Sequence, residues 1–139
     1  MQSLLNVPAE VVSANINAAV TKAAAKKRRI FVLGIMAGAF IAMGAQSSSL
    51  AVHNISDVGI ARTLAGCIFP VGLMMIVFVG GELFTGDCMM SMAYMKGRMS
   101  LGSLLRTLLI VYLGNFAGAV LIAFLVVPAD AIRKLVLRL

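Results

Sequence analysis

Three long apolar stretches organise the chain, and charged or polar residues lie between them. The first begins at Ile30, directly after a basic run at residues 26–29, and continues without a charged residue to about Val52. The third covers about residues 104–127. A helix of about 20 apolar residues is long enough to cross a hydrocarbon core of about 30 Å. The pattern therefore predicts an all-α membrane protein with three spans.

The second apolar stretch is too long for one straight span and contains two carboxylates. As a continuous helix, residues 63–95 would measure about 50 Å, whereas a membrane requires about 30 Å. Near its middle the sequence VGGELFTGDCMM places three glycines, Gly80, Gly81 and Gly86. Glycine favours helix ends, and Thr85 and Asp87 are residue types that cap a new helix. We predict a discontinuous second transmembrane helix, with Glu82 and Asp87 beside a pathway and away from lipid.

The segments on either side of the spans differ from them in composition. Residues 1–29 predict a cytoplasmic amphipathic helix, which Pro8 can open and which a basic run anchors. Residues 30–127 form the three-span transmembrane repeat, and residues 128–139 form a basic C-terminal tail. Three spans would place this tail outside, against the positive-inside rule.

Small and polar residues within the spans indicate where helices pack. Gly34 and Gly38 lie four residues apart in the first span, as do Gly114 and Gly118 in the third. This spacing predicts a helix face without side chains, which a neighbouring backbone can approach closely. Asn115 is costly in lipid, so we expect it to face a partner helix or a pore.

Composition supports an integral membrane protein. Of the 139 residues, 61% are hydrophobic and 12% charged, and the mean hydropathy is +1.02. The net charge of +7 follows from basic residues at the ends of spans and does not indicate nucleic-acid binding. Neither a nucleophile paired with a base nor a set of hydrolytic ligands is evident, so we predict no enzyme activity, no cofactor and no metal site.

Two motifs resemble a known family. The sequence GGELFTGD in the interrupted second span, followed by YLGNFAGA in the third, is similar to the formate/nitrite transporter family. The resemblance implies an aquaporin-like fold of six spans in two inverted three-span repeats, of which this chain corresponds to the first. It also implies pentamers in a bacterial-type cytoplasmic membrane, with a cytoplasmic N-terminus. The implied substrates are small monovalent anions or their conjugate acids, such as formate, nitrite or hydrosulfide.

The resemblance also implies roles for residues of the substrate pathway. Thr85 corresponds to the threonine that faces the central site, and Leu83 and Phe84 belong to the same loop. Phe69 and Leu73 correspond to apolar residues that narrow the pore. The alternatives are a plain N-cap for Thr85 and ordinary helix packing for Phe69 and Leu73. A helix starting near Thr85 would also direct unpaired N–H groups at an anion.

The resemblance implies that the remaining loop residues order the loop. Glu82 matches the motif glutamate, which orders the loop and pairs with a basic residue, and we group Gly86 and Asp87 with it. Relatives commonly carry an uncharged residue where this chain has Asp87, which would repel an anion unless protonated, paired or turned away. The pore histidine and the lysine facing the motif belong to the second repeat of the family, and His53 lies in the wrong segment to replace that histidine.

Three alternative readings stay open. The chain is an incomplete half that needs a second three-span half, or two copies insert with opposite topology and rebuild a protomer. The basic run at residues 26–29 argues against dual insertion. A Cu(I) transporter would use a soft-ligand cluster, which the sequence offers as Cys88, Met89, Met90, Met92 and Met95. No two of these methionines are four residues apart, and methionine is a common packing residue.

Overall fold

The computed structural model describes residues 8–136, with side chains to residue 127. Its elements in chain order are α1 (Pro8–Ala24), α2 (Lys27–Val52), α3 (Val58–Ile68), α4 (Pro70–Val79), α5 (Phe84–Asp87), the 3₁₀ turn Cys88–Met90, α6 (Ser91–Met95) and α7 (Leu101–Val136). All elements in this described range are helical, which confirms the predicted all-α fold class.

Three helical stretches are long and apolar enough to cross a membrane: Lys27–Val52, Val58–Val79 and Leu101–Val127. They confirm the number of spans predicted from the sequence. The second comprises α3 and α4, which meet at Pro70, the first residue of α4. Proline is tolerated there because its missing N–H is not needed at a helix start. This stretch ends at Val79, and residues 84–95 form separate short helical pieces.

Helices α2 and α7 form the main packing contact through the two predicted glycine pairs. Gly34 and Gly38 on α2 are buried, and Gly34 faces Gly114 of α7, whereas Gly38 faces the backbone of Asn115. A Cβ on Gly118 would overlap the carbonyl oxygen of Ile35, and one on Gly114 would lie 2.8 Å from the carbonyl oxygen of Phe31. Along this face the backbones of the two helices therefore touch, as small residues at a helix interface allow.

Gly118→Ala is expected to destabilise the chain by about 1–3 kcal/mol, because an added methyl group forces the two backbones apart. Gly66→Ala on α3 is the matched control, since a Cβ there meets nothing within 4 Å. Gly66→Ala is expected to be neutral or to stabilise the chain by up to about 1 kcal/mol, because alanine has a better helix propensity than glycine. Thermal unfolding of both variants in one detergent measures the difference. Equal loss in the two would contradict the close contact.

A second close contact, between α2 and α4, was not predicted. A Cβ on Gly72 would lie 2.7 Å from the carbonyl oxygen of Phe40, and one on Gly44 would lie 3.0 Å from that of Phe69. Neither glycine has a partner four residues away in sequence, so no GxxxG pattern signalled this contact. It holds the second span against the first and thereby fixes the position of the chain at Val79.

Helix α1 packs on the interrupted segment rather than standing apart from the spans. Its buried residues Ile16 and Ala19 form a core cluster with Met90, Ala93 and Leu104. The cluster joins α1, the 3₁₀ turn, α6 and the start of α7. The amphipathic character predicted for α1 thus serves packing against the chain, and its location on a cytoplasmic surface stays a prediction.

Helix α7 continues through Pro128 to Val136. The hydropathy pattern predicts a third span that ends at Val127 and a tail that begins at residue 128. The tail is helical as far as Val136, and residues 137–139 lie outside the described residues. The division of the chain into residues 1–29, 30–127 and 128–139 stays a prediction.

Candidate functional site

The interruption begins where Gly80 ends α4. Gly80 has a φ of 69°, in the left-handed region that favours glycine, and its N–H donates to the carbonyl oxygens of Ile76 and Val77. The N–H of Gly81 donates to the carbonyl oxygen of Ile76 at 2.9 Å. The chain then runs without helix to Leu83 and becomes helical again at Phe84. Helix α4 therefore ends at the glycines from which a helix end was predicted, and the discontinuous transmembrane helix stays a prediction.

Asn115 of α7 binds three backbone groups around the break. Its side-chain nitrogen donates to the carbonyl oxygens of Gly34 and Glu82, at 2.8 Å each. Its side-chain oxygen accepts from the N–H of Phe84 at 2.9 Å. One amide side chain thereby connects α2, α7 and both ends of the segment 82–84. Asn115 faces a helix partner, which is one of the two placements expected from the sequence.

The expectation that Thr85 and Asp87 cap the new helix is wrong. Leu83 occupies the N-cap position with an extended backbone and no side-chain cap. Thr85 and Asp87 lie inside the first turn, where the N–H of Asp87 donates to the carbonyl oxygen of Leu83 at 2.9 Å. The physical reason is that Asn115 already satisfies the N–H of Phe84, so a residue distant in sequence supplies the cap.

Lys22 of α1 pairs with both carboxylates of the interrupted segment. Its Nζ donates a hydrogen bond to Asp87 Oδ1 and lies 2.5 Å from Glu82 Oε2. The side chain of Asp87 is only 1% exposed, so its charge would be costly without a partner. From the sequence, Asp87 is expected to be protonated, paired or turned away from the anion path. In the structure it is paired with Lys22. The expected basic partner of Glu82 is present and comes from α1.

The two carboxylates determine the charge state of Lys22. Burial alone would lower the pKa of its ammonium group, but the hydrogen bonds that it donates to Asp87 and Glu82, with the charges of these carboxylates, outweigh burial and raise this pKa above its ordinary value. Lys22 therefore carries its positive charge at neutral pH.

The role of Lys22 was not predicted, although the sequence contains one signal for it. Lys22 lies three residues after Ala19 and six after Ile16, on the stripe of α1 that faces the core. A lysine on an apolar helix stripe indicates a buried partner, because an unpaired buried ammonium group is costly. Its partners lie 60 and 65 residues further along the chain, so periodicity alone could not identify them.

A cavity of about 320 Å³ lies between α1, α4 and the interrupted segment. Its lining includes Lys22 and six of the residues predicted from the resemblance as pathway or loop residues: Leu73, Glu82, Leu83, Thr85, Gly86 and Asp87. Thr85 is exposed, so its hydroxyl is available to a ligand. The structure thus brings the threonine, two apolar residues and the ion cluster together.

Two predicted pathway residues lie elsewhere. Phe84 places its ring edge-to-face against Tyr112 of α7, with ring centroids 5.7 Å apart. Phe69 lies one turn before Leu73 and is 43% exposed, but it is not part of the cavity wall. Their roles in a pathway stay predictions.

The methionines of the soft-ligand cluster separate into two environments. Met90 is buried in the core and Met92 packs against that core, whereas Met89 and Met95 are exposed. The buried pair therefore has the packing role that methionine commonly fills. Cys67 and Cys88 are free and exposed.

The sequence of the chain matches a known protein family. The sequence profile described as "Formate/nitrite transporter" matches residues 9–137. The chain belongs to the formate/nitrite transporter family. Membership confirms the resemblance carried by the GGELFTGD and YLGNFAGA motifs, and together with three apolar helices it supports an integral membrane protein. The family consists of transporters and channels rather than enzymes.

Individual relatives within the formate/nitrite transporter family are similar over much of the chain. The chain is 33% identical over 137 residues to a probable formate transporter of Methanothermobacter thermautotrophicus, covering 95% of the chain and 50% of the relative. It is 33% identical over 120 residues to the formate channel BtFdhC of Bacillus thuringiensis (84% and 46%). It is 32% identical over 123 residues to the formate channel FocA of Escherichia coli K12 (87% and 43%). The chain spans about half the length of these relatives.

Proposed function

We propose that the chain contributes a membrane pathway for small monovalent anions or their conjugate acids, of the formate, nitrite or hydrosulfide class. The observation that carries this proposal is the cavity beside the interruption, in which Thr85, Leu73 and Leu83 lie together. The family supports the same class of substrate, because the relatives described above are named as formate channels or transporters.

The lining residues offer a polar contact between apolar walls. The Thr85 hydroxyl donates a hydrogen bond to a carboxylate or nitrite oxygen, while Leu73 and Leu83 disfavour a fully hydrated ion. Phe69 and Phe84 extend this apolar constriction in the proposed pathway. A weak acid lowers the barrier by crossing such a constriction in its neutral form, because the cost of dehydrating a charge is avoided.

Lys22 gives the cavity its only cationic side chain among the lining residues described. Its charge is directed at Glu82 and Asp87, so in this proposal it holds the loop that presents Thr85. Glu82, Gly86 and Asp87 are positioning residues, and a substrate contacts Thr85 rather than the carboxylates.

We propose further that a second three-span half covers the exposed side of α3 and α4. Several large apolar residues there are exposed: Phe69 43%, Leu73 48%, Met74 57%, Val77 73% and Phe78 89%. Leu73 and Val77 also line the cavity, so a neighbour on this side would close the pathway. The family resemblance supports assembly into pentamers, with the N-terminus in the cytoplasm of a bacterial-type cell and the basic run 26–29 as anchor.

Anion flux in proteoliposomes tests the proposed function. One arm contains the chain alone, and a second contains FocA of Escherichia coli in which the chain replaces its matched segment. We expect the chimera to conduct formate, nitrite or hydrosulfide and to exclude gluconate. Conduction by the chimera and not by the chain would support the need for a second half. A folded chimera without selective flux would contradict the proposed function.

A further inference from the structure

Two carboxylates in the interrupted segment share one counter-charge. Glu82 and Asp87 converge on the same Lys22 ammonium group. With both carboxylates ionised, the cluster carries one negative charge more than it has positive charges. The side chains of Glu82 and Asp87 are only 14% and 1% exposed. A buried excess charge is costly, and two carboxylates at one site relieve it when one retains a proton.

One oxygen of Asp87 marks the place where this proton fits. Lys22 occupies Oδ1, whereas Oδ2 is buried and has no hydrogen-bond partner among the described residues. Buried carboxylate oxygens normally accept hydrogen bonds, so an orphaned one requires an explanation. Asp87 also lines the 320 Å³ cavity, which gives an exchangeable proton a route to water.

The groups around Asp87 leave the charge imbalance in place. Arg29 of α2 lines an adjoining cavity that Lys22 and Glu82 also line, but the salt bridges that the structure gives Glu82 and Asp87 both come from Lys22 of α1. From α7, Tyr112 contacts the ring of Phe84, and Cys88 follows Asp87 in the chain and is exposed. Within residues 8–127, no cluster of three or more His, Cys, Asp or Glu side chains is suited to a metal ion. A proton is therefore the cation that this arrangement accommodates.

We propose that Glu82 and Asp87 together bind one exchangeable proton beside Lys22, at pH values where exposed carboxylates are fully ionised. The proton leaves by breaking one carboxylic O–H bond and passing to water through the cavity, after which the cluster carries one net negative charge. In a second step, which rests on the proposed function, that added charge repels an incoming anion. The pair then reduces anion entry as the pH rises.

Infrared difference spectroscopy of the chain in lipid nanodiscs tests the proton site without requiring transport. Between about pH 6 and pH 9, where exposed carboxylates do not change charge, the wild type is expected to lose the carbonyl band of one carboxylic acid. Asp87→Asn and Glu82→Gln are each expected to abolish this change, because a single carboxylate balances Lys22. Asp57→Asn is the control, since Asp57 is exposed and caps α3, and it should retain the change.

The other outcomes separate the possible explanations. No protonated carboxyl band in the wild type at about pH 6 would overturn the proposal. A band that persists in Glu82→Gln and disappears in Asp87→Asn would mean that burial of Asp87, rather than a shared counter-charge, retains the proton, and would also overturn it. An intact band with no anion flux in the chimera would contradict the proposed function alone. The second step predicts that formate flux falls with rising pH in the wild-type chimera and that Asp87→Asn flattens this dependence.

Discussion

We expect Asn115→Leu to lower the free energy of unfolding by about 2–4 kcal/mol. Leucine has a similar size but leaves the carbonyl oxygens of Gly34 and Glu82 and the N–H of Phe84 without their shared partner. A buried polar group left unpaired costs about 1–3 kcal/mol, and hydrogen bonds between membrane helices lie at the low end of that range. Equilibrium unfolding in detergent measures the loss.

The control for this variant is Asn54→Leu, because Asn54 lies exposed in the connection between α2 and α3. It should change stability by no more than about 0.5 kcal/mol. Hydrogen exchange at the amide of Phe84 provides an independent reading, since this N–H loses its acceptor only in Asn115→Leu. Unchanged exchange together with unchanged stability would show that Asn115 does not connect the loop to the spans.

Lys22→Met is expected to destabilise the chain by about 3 kcal/mol. Methionine keeps the length of the side chain, but its introduction leaves Glu82 and Asp87 facing each other without a cation. Breaking a buried ion pair costs about 3–5 kcal/mol. The lower end of this range applies because the Lys22 side chain is 26% exposed. Adding Asp87→Asn to Lys22→Met should recover part of the loss, because it removes the more deeply buried of the two carboxylates that have lost their cation.

The exposed Lys27 at the start of α2 supplies the control, and Lys27→Met should change stability by no more than about 0.5 kcal/mol.

The direction of the Lys22 pKa shift determines the pH at which stability should be measured. The pKa of Lys22 is raised in the folded chain, so its stabilisation is complete below the pKa of an unfolded lysine. It is lost only as the pH rises through the higher folded value. Unfolding at neutral pH therefore reports the whole effect, and a loss equal to that of Lys27→Met would contradict the ion pair.

The parts of the fold that depend on local patterns were predictable from the sequence. The glycines of each pair lie on the face where α2 and α7 meet, because residues four apart lie on one side of a helix, so each segment carries its own packing signal. The end of α4 at Gly80 was predictable for the same reason, because a left-handed helix end favours glycine wherever it occurs. Three spans follow from the length of the apolar stretches.

The parts that depend on distant partners were not predictable. A threonine or aspartate near a helix start is a good local cap, but Asn115 reaches the N–H of Phe84 from 31 residues away and removes the need for one. The sequence pattern places Lys22 in a surface helix, because its two carboxylate partners come close only after α1 folds against the interrupted segment. Without that contact, Asp87 looked like an unexplained departure from the family pattern.

In the proposed function, Thr85 presents its hydroxyl to an anion that crosses beside the interruption. Formate flux through the chimera is the most direct test of this contact, with Thr85→Val compared with Thr63→Val, which alters an exposed threonine bonded to the carbonyl oxygen of Gly59. Loss of one hydrogen bond to the anion corresponds to about a tenfold decrease. We predict that decrease in Thr85→Val and unchanged flux in Thr63→Val. Equal flux in both variants, with both folded, would contradict the claim.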